Sequence, residues 1–318
     1  MKIYRDPGLF QRLNFSVVTS GTFDGVHLGH RKILNRLKEI AVKNNGETVL
    51  LTYWPHPRLV LNPEDNSVRL LNTFAEKSEL LEKAGIDHLV CIPFTRTFSE
   101  MSSADFIRDI LVDRIGTRKL VIGYDHHFGK KREGNLNQLI QVGPEYGFEV
   151  EEIPRQDIDD SAISSSAIRR FLSEGSVKKA AQLLGSPYIL SGKVVTGDQL
   201  GRQIGFPTAN LSLTETGDPD NKYKIIPAEG IYAVHARIGD SVYGGMLYIG
   251  QRPTVGGRAT VIEVNIFDFD GQIYGETVVV SFIELIRGDR KFESLDRLRD
   301  QLIEDRKETL RILETKIR

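Results

Sequence analysis

The sequence predicts an α/β domain built on a parallel sheet, followed by an antiparallel β-barrel that ends in a helix. Three observations carry this prediction. The first half alternates short apolar runs with longer amphipathic ones, as parallel strands joined by crossover helices do. From residue 188 to 287 the pattern changes to closely spaced β-rich runs divided by glycines, which suits an antiparallel barrel. The last segment, 295–317, sets Leu295, Leu298, Leu302, Leu310 and Leu313 at helical spacing, as in an amphipathic helix packed on the barrel.

Taken in chain order, residues 15–19 read as a strand and 30–44 as a helix with Ile33, Leu34, Leu37 and Ile40 on one face. Residues 48–53 are a strand, 75–84 a helix closed by Gly85, and 88–93 the next strand. A helix over 104–115 and strands over 119–123 and 148–153 follow, and a helical stretch over 167–184 closes the half. Gly185-Ser186-Pro187 punctuates the chain, so the domains are expected at 1–185 and 186–318. Beyond that point strands are expected over 188–195, 230–238, 244–248, 260–267 and 276–286, with Asp270-Gly271 as a hairpin turn. Ligands of parallel sheets bind beyond the carboxyl ends of the strands, so chemistry is expected just after them.

At 318 residues the chain has room for two domains of roughly 150 residues each. The proportions, 40% hydrophobic and 27% charged, are those of a globular protein and not of a disordered or fibrous one. A net charge of -1 offers no global positive field, so neither nucleic acid nor membrane is expected as a partner. The single cysteine, Cys91, lies in an apolar run and reads as a buried strand residue. It can form neither an internal disulfide nor a zinc cluster, which fits a reducing cytoplasm. There is no apolar run of about 18 residues and no signal-peptide core at the N-terminus. The expectation is a cytoplasmic protein with no obligate protein partner, a homo-oligomer being left open.

The first candidate site is Gly21-Thr22-Phe23-Asp24-Gly25-Val26-His27-Leu28-Gly29-His30, which follows the first strand and opens the first long helix. Its glycines let the backbone approach a ligand, and a helix N-terminus offers free N–H groups to an anion. His27 and His30 flank Gly29 and can both donate to a phosphate, where charge grows as pyrophosphate leaves. The plainer reading is a glycine turn with two incidental histidines. A second segment, Ile163-Ser164-Ser165-Ser166-Ala167-Ile168-Arg169, puts serines at a helix start with a cation in the first turn. Serine N-caps explain it alone; beside the histidines, the serines and Arg169 become a second clamp on a triphosphate.

These two segments resemble the adenylyltransferase half of the bacterial bifunctional riboflavin kinase/FAD synthetases, members of the HxGH nucleotidylyltransferase superfamily with a Rossmann-like fold. Trp54-Pro55-His56-Pro57 and Val121-Ile122-Gly123-Tyr124-Asp125-His126-His127-Phe128-Gly129 fit the same family. The resemblance implies that Gly21, Phe23, Asp24, Gly25, His27, Gly29, His30, Gly123, Asp125, Ser164, Ser165 and Arg169 bind ATP, with His27 and His30 catalytic. It implies that the phosphate of FMN, and no protein side chain, is the nucleophile, and that Pro55, His56 and Phe128 touch the flavin. One position departs: the family usually shows an aromatic after the aspartate, where this chain has His126.

The densest signal lies in residues 192–210, where glycines recur at Gly197, Gly201 and Gly205 ahead of Phe206-Pro207-Thr208-Ala209-Asn210. Asp198, Gln199, Arg202 and Gln203 exclude a membrane-packing helix, and the spacing is not that of the common NTPase phosphate loop. A glycine-rich flap over phosphates is the reading, with Thr208 and Asn210 as small oxygen ligands suited to magnesium. The segment resembles the riboflavin kinase signature G-R-x-x-G-F-P-T-A-N. That resemblance implies Mg2+-ATP held by Gly197, Gly201, Gly205, Thr208 and Asn210, with Thr208 and Asn210 at the metal. It further implies Glu276 as the base that takes the ribityl 5′-hydroxyl proton, and Arg252 and Arg287 as flavin contacts. Tyr248 stands where the family commonly has asparagine and Asn265 where it commonly has histidine. A different HxGH transferase fused to an unrelated barrel, or a flavin-binding regulator, are the competing readings; Thr208, Asn210 and Glu276 argue against both. The implied substrates are ATP, riboflavin and FMN.

Overall fold

Apolar runs with no polar alternation need cover on both faces, and the sheet of the first half receives it. The computed structural model describes residues 1–65, 68–124, 126–153, 163–197, 200–254 and 257–314. Six strands, β1 (Lys2–Tyr4), β2 (Ser16–Ser20), β3 (Glu47–Trp54), β4 (His88–Pro93), β5 (Thr117–Gly123) and β6 (Glu149–Ile153), form one sheet in the order β1-β4-β3-β2-β5-β6. Every pairing is parallel. Successive side chains point to opposite faces. Val18, Val49, Leu51, Val90, Leu120 and Ile122 accordingly join one core, and Val17, Leu50, Leu89, Cys91 and Val121 the other. Cys91 is a buried free cysteine, as its apolar run predicts. The chain runs outward from β2 through β3 to β4, then crosses back to β5. The order therefore reverses between β2 and β5, the place where such sheets bind ligands.

The helix Leu28–Lys43 follows β2 and buries Leu34, Leu37 and Ile40. The helix Phe74–Lys83 begins in a complete capping box, with Thr73 Oγ1 accepting from the Glu76 N–H and the Glu76 carboxylate from the Thr73 N–H. The strand β1 escapes the sequence pattern because only three residues pair, and their register is supplied by β4. The helix predicted over 104–115 is observed as Ser103–Asp105 running into a wide helix, Phe106–Arg114.

The second half closes on itself. β7 (Ile189–Val195), β8 (Ala209–Ser212), β9 (Gly230–Ile238), β10 (Ser241–Thr254), β11 (Gly257–Ile266) and β12 (Thr277–Gly288) form a barrel in the order β10-β11-β8-β7-β12-β9. All its pairings are antiparallel. β7 shows the expected alternation, burying Leu190, Gly192 and Val194. The short strand β8 was not predicted. Asp270-Gly271 is not a hairpin turn: β11 pairs with β10 and β8, and β12 with β7 and β9, so the intervening segment crosses the barrel end.

The C-terminal helix is Leu295–Glu314. Its leucine stripe is only partly inward. Leu295 and Leu310 are exposed, and the buried face is instead made by Asp305, Thr309, Ile312 and Leu313. A carboxylate can occupy that face because Arg287 of β12 meets Asp305 through Nε (3.0 Å) and Nη2 (2.8 Å), and Gln301 adds a third donor.

By its contacts the chain divides into two compact units, Met1–Ser165 and Ser166–Arg318. The helical stretch before Gly185 is two helices, Ser165–Ser173 and Val177–Leu184, broken at Gly175 with φ +75°. They go with the barrel: Leu172 O accepts from Ala228 N (3.0 Å), and Lys178 Nζ pairs with Glu284 (3.0 Å).

Asp305→Ala leaves the Arg287 cation without its buried partner and should lower stability by about 3–5 kcal/mol. Chemical denaturation of the full chain measures this, and an unchanged midpoint would show that the pair does not hold the helix.

Candidate active sites

In the first unit, Gly21 continues β2 by donating to Leu51 O (3.0 Å), after which the backbone turns sharply. Phe23, Gly25 and Val26 have φ of 47°, 91° and 40°, a region that L side chains rarely adopt. Asp24 holds the turn. Its carboxylate is buried and accepts from Leu71 N (3.1 Å) and Asn72 N (3.2 Å), while its carbonyl accepts from Ser165 Oγ (2.8 Å). The turn delivers the chain into Leu28–Lys43, whose N-cap is His27: its Nδ1 accepts from the His30 N–H (3.3 Å). The rings of His27 and His30 stack at 3.7 Å, with Phe23 tilted against His30 at 4.7 Å. Burial lowers the pKa of His30 well below the usual histidine value, and the charges of His27 and Lys77 add to this. Its buried Nδ1 has no hydrogen-bond partner among the described residues. A neutral donor at a helix N-terminus is suited to an incoming polyanion.

Lys77 lies beneath this turn. Its buried ammonium donates to Thr22 O (3.2 Å) and Thr52 Oγ1 (3.0 Å) and sits over the Trp54 ring. Sequence reasoning missed it, and a lysine amid an apolar helical stripe, Phe74-x-x-Lys77-x-x-x-Leu81, was the available signal.

A cavity of ≈ 590 Å³ opens at the β2/β5 crossover, within the range of ligand sites. Gly21, Phe23, His30, Gly123 and Phe128 line it, and so does His126. Its other wall is aromatic, from Tyr53, Phe94, Phe98 and Phe106. Asp24, Gly25, His27 and Gly29 are not among the residues that line it. His56 caps a short helix through Arg58 N (3.2 Å), and Pro55 is exposed beside it. Ser164 is exposed, Ser165 ties to Asp24, and Arg169 is half-buried in the helix Ser165–Ser173, among residues grouped with the barrel. Asp125 lies outside the described residues.

In the barrel a second cavity of ≈ 290 Å³ is lined by Gly201, Thr208, Arg252, Glu263, Asn265 and Arg287, with Tyr248 and Phe292. The register sets its chemistry. Asn210 of β8 stands directly opposite Glu263 of β11, which puts both side chains on one face. Thr208 Oγ1 donates to Glu263 Oε2 (3.0 Å), and Arg252 Nη2 donates to Glu263 Oε1. Asn265 anchors the preceding loop through Pro207 O (2.6 Å). A Cβ at Gly197 would stand 2.1 Å from Asn210 Nδ2, so a side chain there would displace Asn210. Gly201 O accepts from Phe206 N (2.8 Å), and Gly205, φ +84°, completes that turn. Burial and the neighbouring Asp289 raise the Tyr248 phenol.

Glu276 is exposed at the start of β12 and is not among the residues that line this cavity. The carboxylate beside Thr208 is Glu263, which sequence reasoning passed over. Arg287 lines the cavity, yet its guanidinium is committed to Asp305. No group of three His, Cys, Asp or Glu side chains gathers as a metal cluster among the described residues. Thr208, Asn210 and Glu263 nevertheless supply hard oxygens of the kind magnesium takes alongside nucleotide phosphates.

A phosphate-ready helix terminus on a parallel sheet, and an oxygen-lined pocket in a barrel, define a two-site nucleotide-using enzyme. Family models for FAD synthetase and riboflavin kinase match residues 10–167 and 184–313. Among curated relatives are the bifunctional riboflavin kinase/FMN adenylyltransferases of Escherichia coli K12, 37% identical over 91% of this chain and 90% of theirs, and of Haemophilus influenzae, 38% identical over 91% of each. That of Bacillus subtilis is 35% identical over 93% of this chain and 92% of its own. The chain belongs to the bifunctional riboflavin kinase/FMN adenylyltransferase family. A crystal structure described as a macrolide-efflux protein from Streptococcus pneumoniae superposes with a TM-score of 0.85 at 31% identity, covering 97% of this chain and 98% of that one. Among the described residues no helix is long and apolar enough to cross a membrane.

Burial, with His127 and Arg132 nearby, lowers the His126 pKa to about 4. The unfolded chain takes up that proton near pH 6.5, as free histidine does, and the folded chain does not until about pH 4. Folding therefore loses stability as pH falls through this window. In His126→Phe the loss should be smaller, as read by melting temperature at a series of pH values; an identical slope would mean that His126 titrates normally.

Proposed function

We infer that the chain converts riboflavin to FMN in its barrel and FMN to FAD on its parallel sheet, each step using one ATP. The supporting observation is that each ligand-sized cavity carries the groups its step needs, in a chain related over nearly its whole length to enzymes named for both activities. On this reading residues 1–185 serve the adenylyltransferase and 186–318 the kinase. ATP, riboflavin and FMN suffice as partners, and the cytoplasm is the compartment.

In the kinase step Glu263 takes the proton of the ribityl 5′-hydroxyl as that oxygen attacks the γ-phosphorus, and ADP leaves. Thr208 and Arg252 orient the carboxylate by bonding one oxygen each. Magnesium bound by Thr208 and Asn210 would neutralise phosphate charge there. Glu263 replaces Glu276 in this role because it shares a cavity with Thr208 and Arg252. In the second step a phosphate oxygen of FMN attacks the α-phosphorus of ATP, and the bond to pyrophosphate breaks. His30, His27 and the N-terminus of Leu28–Lys43 hold the charge that grows on the leaving group.

Chromatography of flavins formed from riboflavin, ATP and magnesium tests the reading. Glu263→Gln should slow FMN formation by about 100-fold or more while FMN added directly still becomes FAD. Glu276→Gln should retain most kinase turnover; the opposite pattern would return the base to Glu276. His30→Ala should cut FAD formation by about 100-fold and spare FMN formation. Loss of both steps in folded protein would end the assignment of one activity to each unit.

A further inference from the structure

His126 occupies a place in the first cavity that neither proposed step uses. Its Nε2 lies 3.3 Å from Ser20 Oγ at the end of β2, and its backbone N–H donates to Gly123 O (3.1 Å). Its ring stacks on Phe128 at 5.8 Å. From there ring contacts run on through Phe106 (5.4 Å), Phe98 (6.5 Å) and Tyr53 (5.9 Å), so His126 ends a continuous aromatic wall. Nδ1 has no protein partner among the described residues.

We propose that His126 is a specificity-determining residue for FMN in the adenylyltransferase site, hydrogen-bonding through Nδ1 to the polar edge of the isoalloxazine ring. The proposal rests on the reading of this cavity as the site of FAD synthesis. A wall of several rings suits a flat tricyclic ligand better than a triphosphate, whose place is at His30 and the helix terminus. The polar edge of isoalloxazine carries alternating carbonyl oxygens and a ring N–H, which a purely aromatic wall leaves unpaired on burial. Ser20 fixes the imidazole through Nε2, so the ring meets the ligand in one orientation. Burial keeps it neutral above about pH 4, and a neutral imidazole pairs with an uncharged ring edge without bringing a buried charge.

The test is steady-state FAD synthesis by the full chain from added FMN, with KM measured separately for FMN and for ATP. Two variants separate the hydrogen bond from the ring face: His126→Phe keeps the aromatic surface, and His126→Asn keeps a donor and an acceptor. His126→Phe should raise KM for FMN by roughly 3–10-fold, the effect of one neutral hydrogen bond, and leave KM for ATP unchanged. His126→Asn should stay closer to the parent. If His126→Phe matches the parent while His126→Asn is the weaker, the ring face is what matters and the proposal falls. It also falls if the increase is confined to KM for ATP, which would put adenine against His126. Failure of the parent chain itself to make FAD would overturn the functional reading instead.

Discussion

The first site depends on the buried carboxylate of Asp24. Three of the four residues from Phe23 to Val26 have positive φ, and two of these carry side chains. Such conformations cost of order 1–3 kcal/mol each and persist only where surrounding contacts over-determine them. Asp24 supplies that constraint, receiving two backbone N–H groups from the segment before Phe74–Lys83 and, at its carbonyl, the Ser165 hydroxyl. Lys77 grips the same turn from below at Thr22. The result is a fixed exit from β2 that aims the N-terminus of Leu28–Lys43, and with it the stacked histidines, across the mouth of the sheet. Asp24 thus shapes the backbone of this turn, and its own oxygens accept from protein N–H groups.

In the barrel, register does what the strained turn does in the sheet. Pairing Asn210 with Glu263 fixes which face of β11 looks toward the cavity, and a slip of one residue would turn Glu263 away. Thr208 and Arg252 then hold the carboxylate from two sides. The cavity's far wall, Leu298 and Leu302 of the C-terminal helix, is placed by the pairing of Arg287 with Asp305. Conserving that helix position therefore takes an ion pair where simple amphipathic reasoning expects leucines. The leucine pattern predicted the helix and the inward Leu298, Leu302 and Leu313, but not Asp305, because a paired carboxylate is invisible to hydropathy.

The parallel sheet was legible because strands buried on both faces must be continuously apolar, and because Gly-rich turns mark where they end. The histidine pair was legible for the same reason: it follows the first such strand. Glu263 was not legible, since a single acid in Thr260-Val261-Ile262-Glu263-Val264-Asn265 looks like the solvent face of an ordinary strand. Glu263 and Asn265 do share a face, and Ile262 and Val264 the opposite buried one, but only closure of the barrel turns the polar face onto a cavity. Glu276 was legible because its motif is local, but a local motif does not report which strand end opens on a pocket, and Glu276 does not line this one. Asp270-Gly271 misled in the same way, since a turn signal says nothing about whether the flanking strands are neighbours in a closed sheet.

The two sites solve opposite electrostatic problems. Attack by a sugar hydroxyl releases a proton, which on the proposed reading passes to Glu263, whose cost in burial is reduced by Arg252 and Thr208. Attack by a phosphate requires no base, since that oxygen is already anionic. The sheet accordingly turns Asp24 away into backbone N–H groups and lines the approach with imidazoles. Burial holds the His30 pKa well below the usual histidine value, and a polyanion at the helix terminus would raise it.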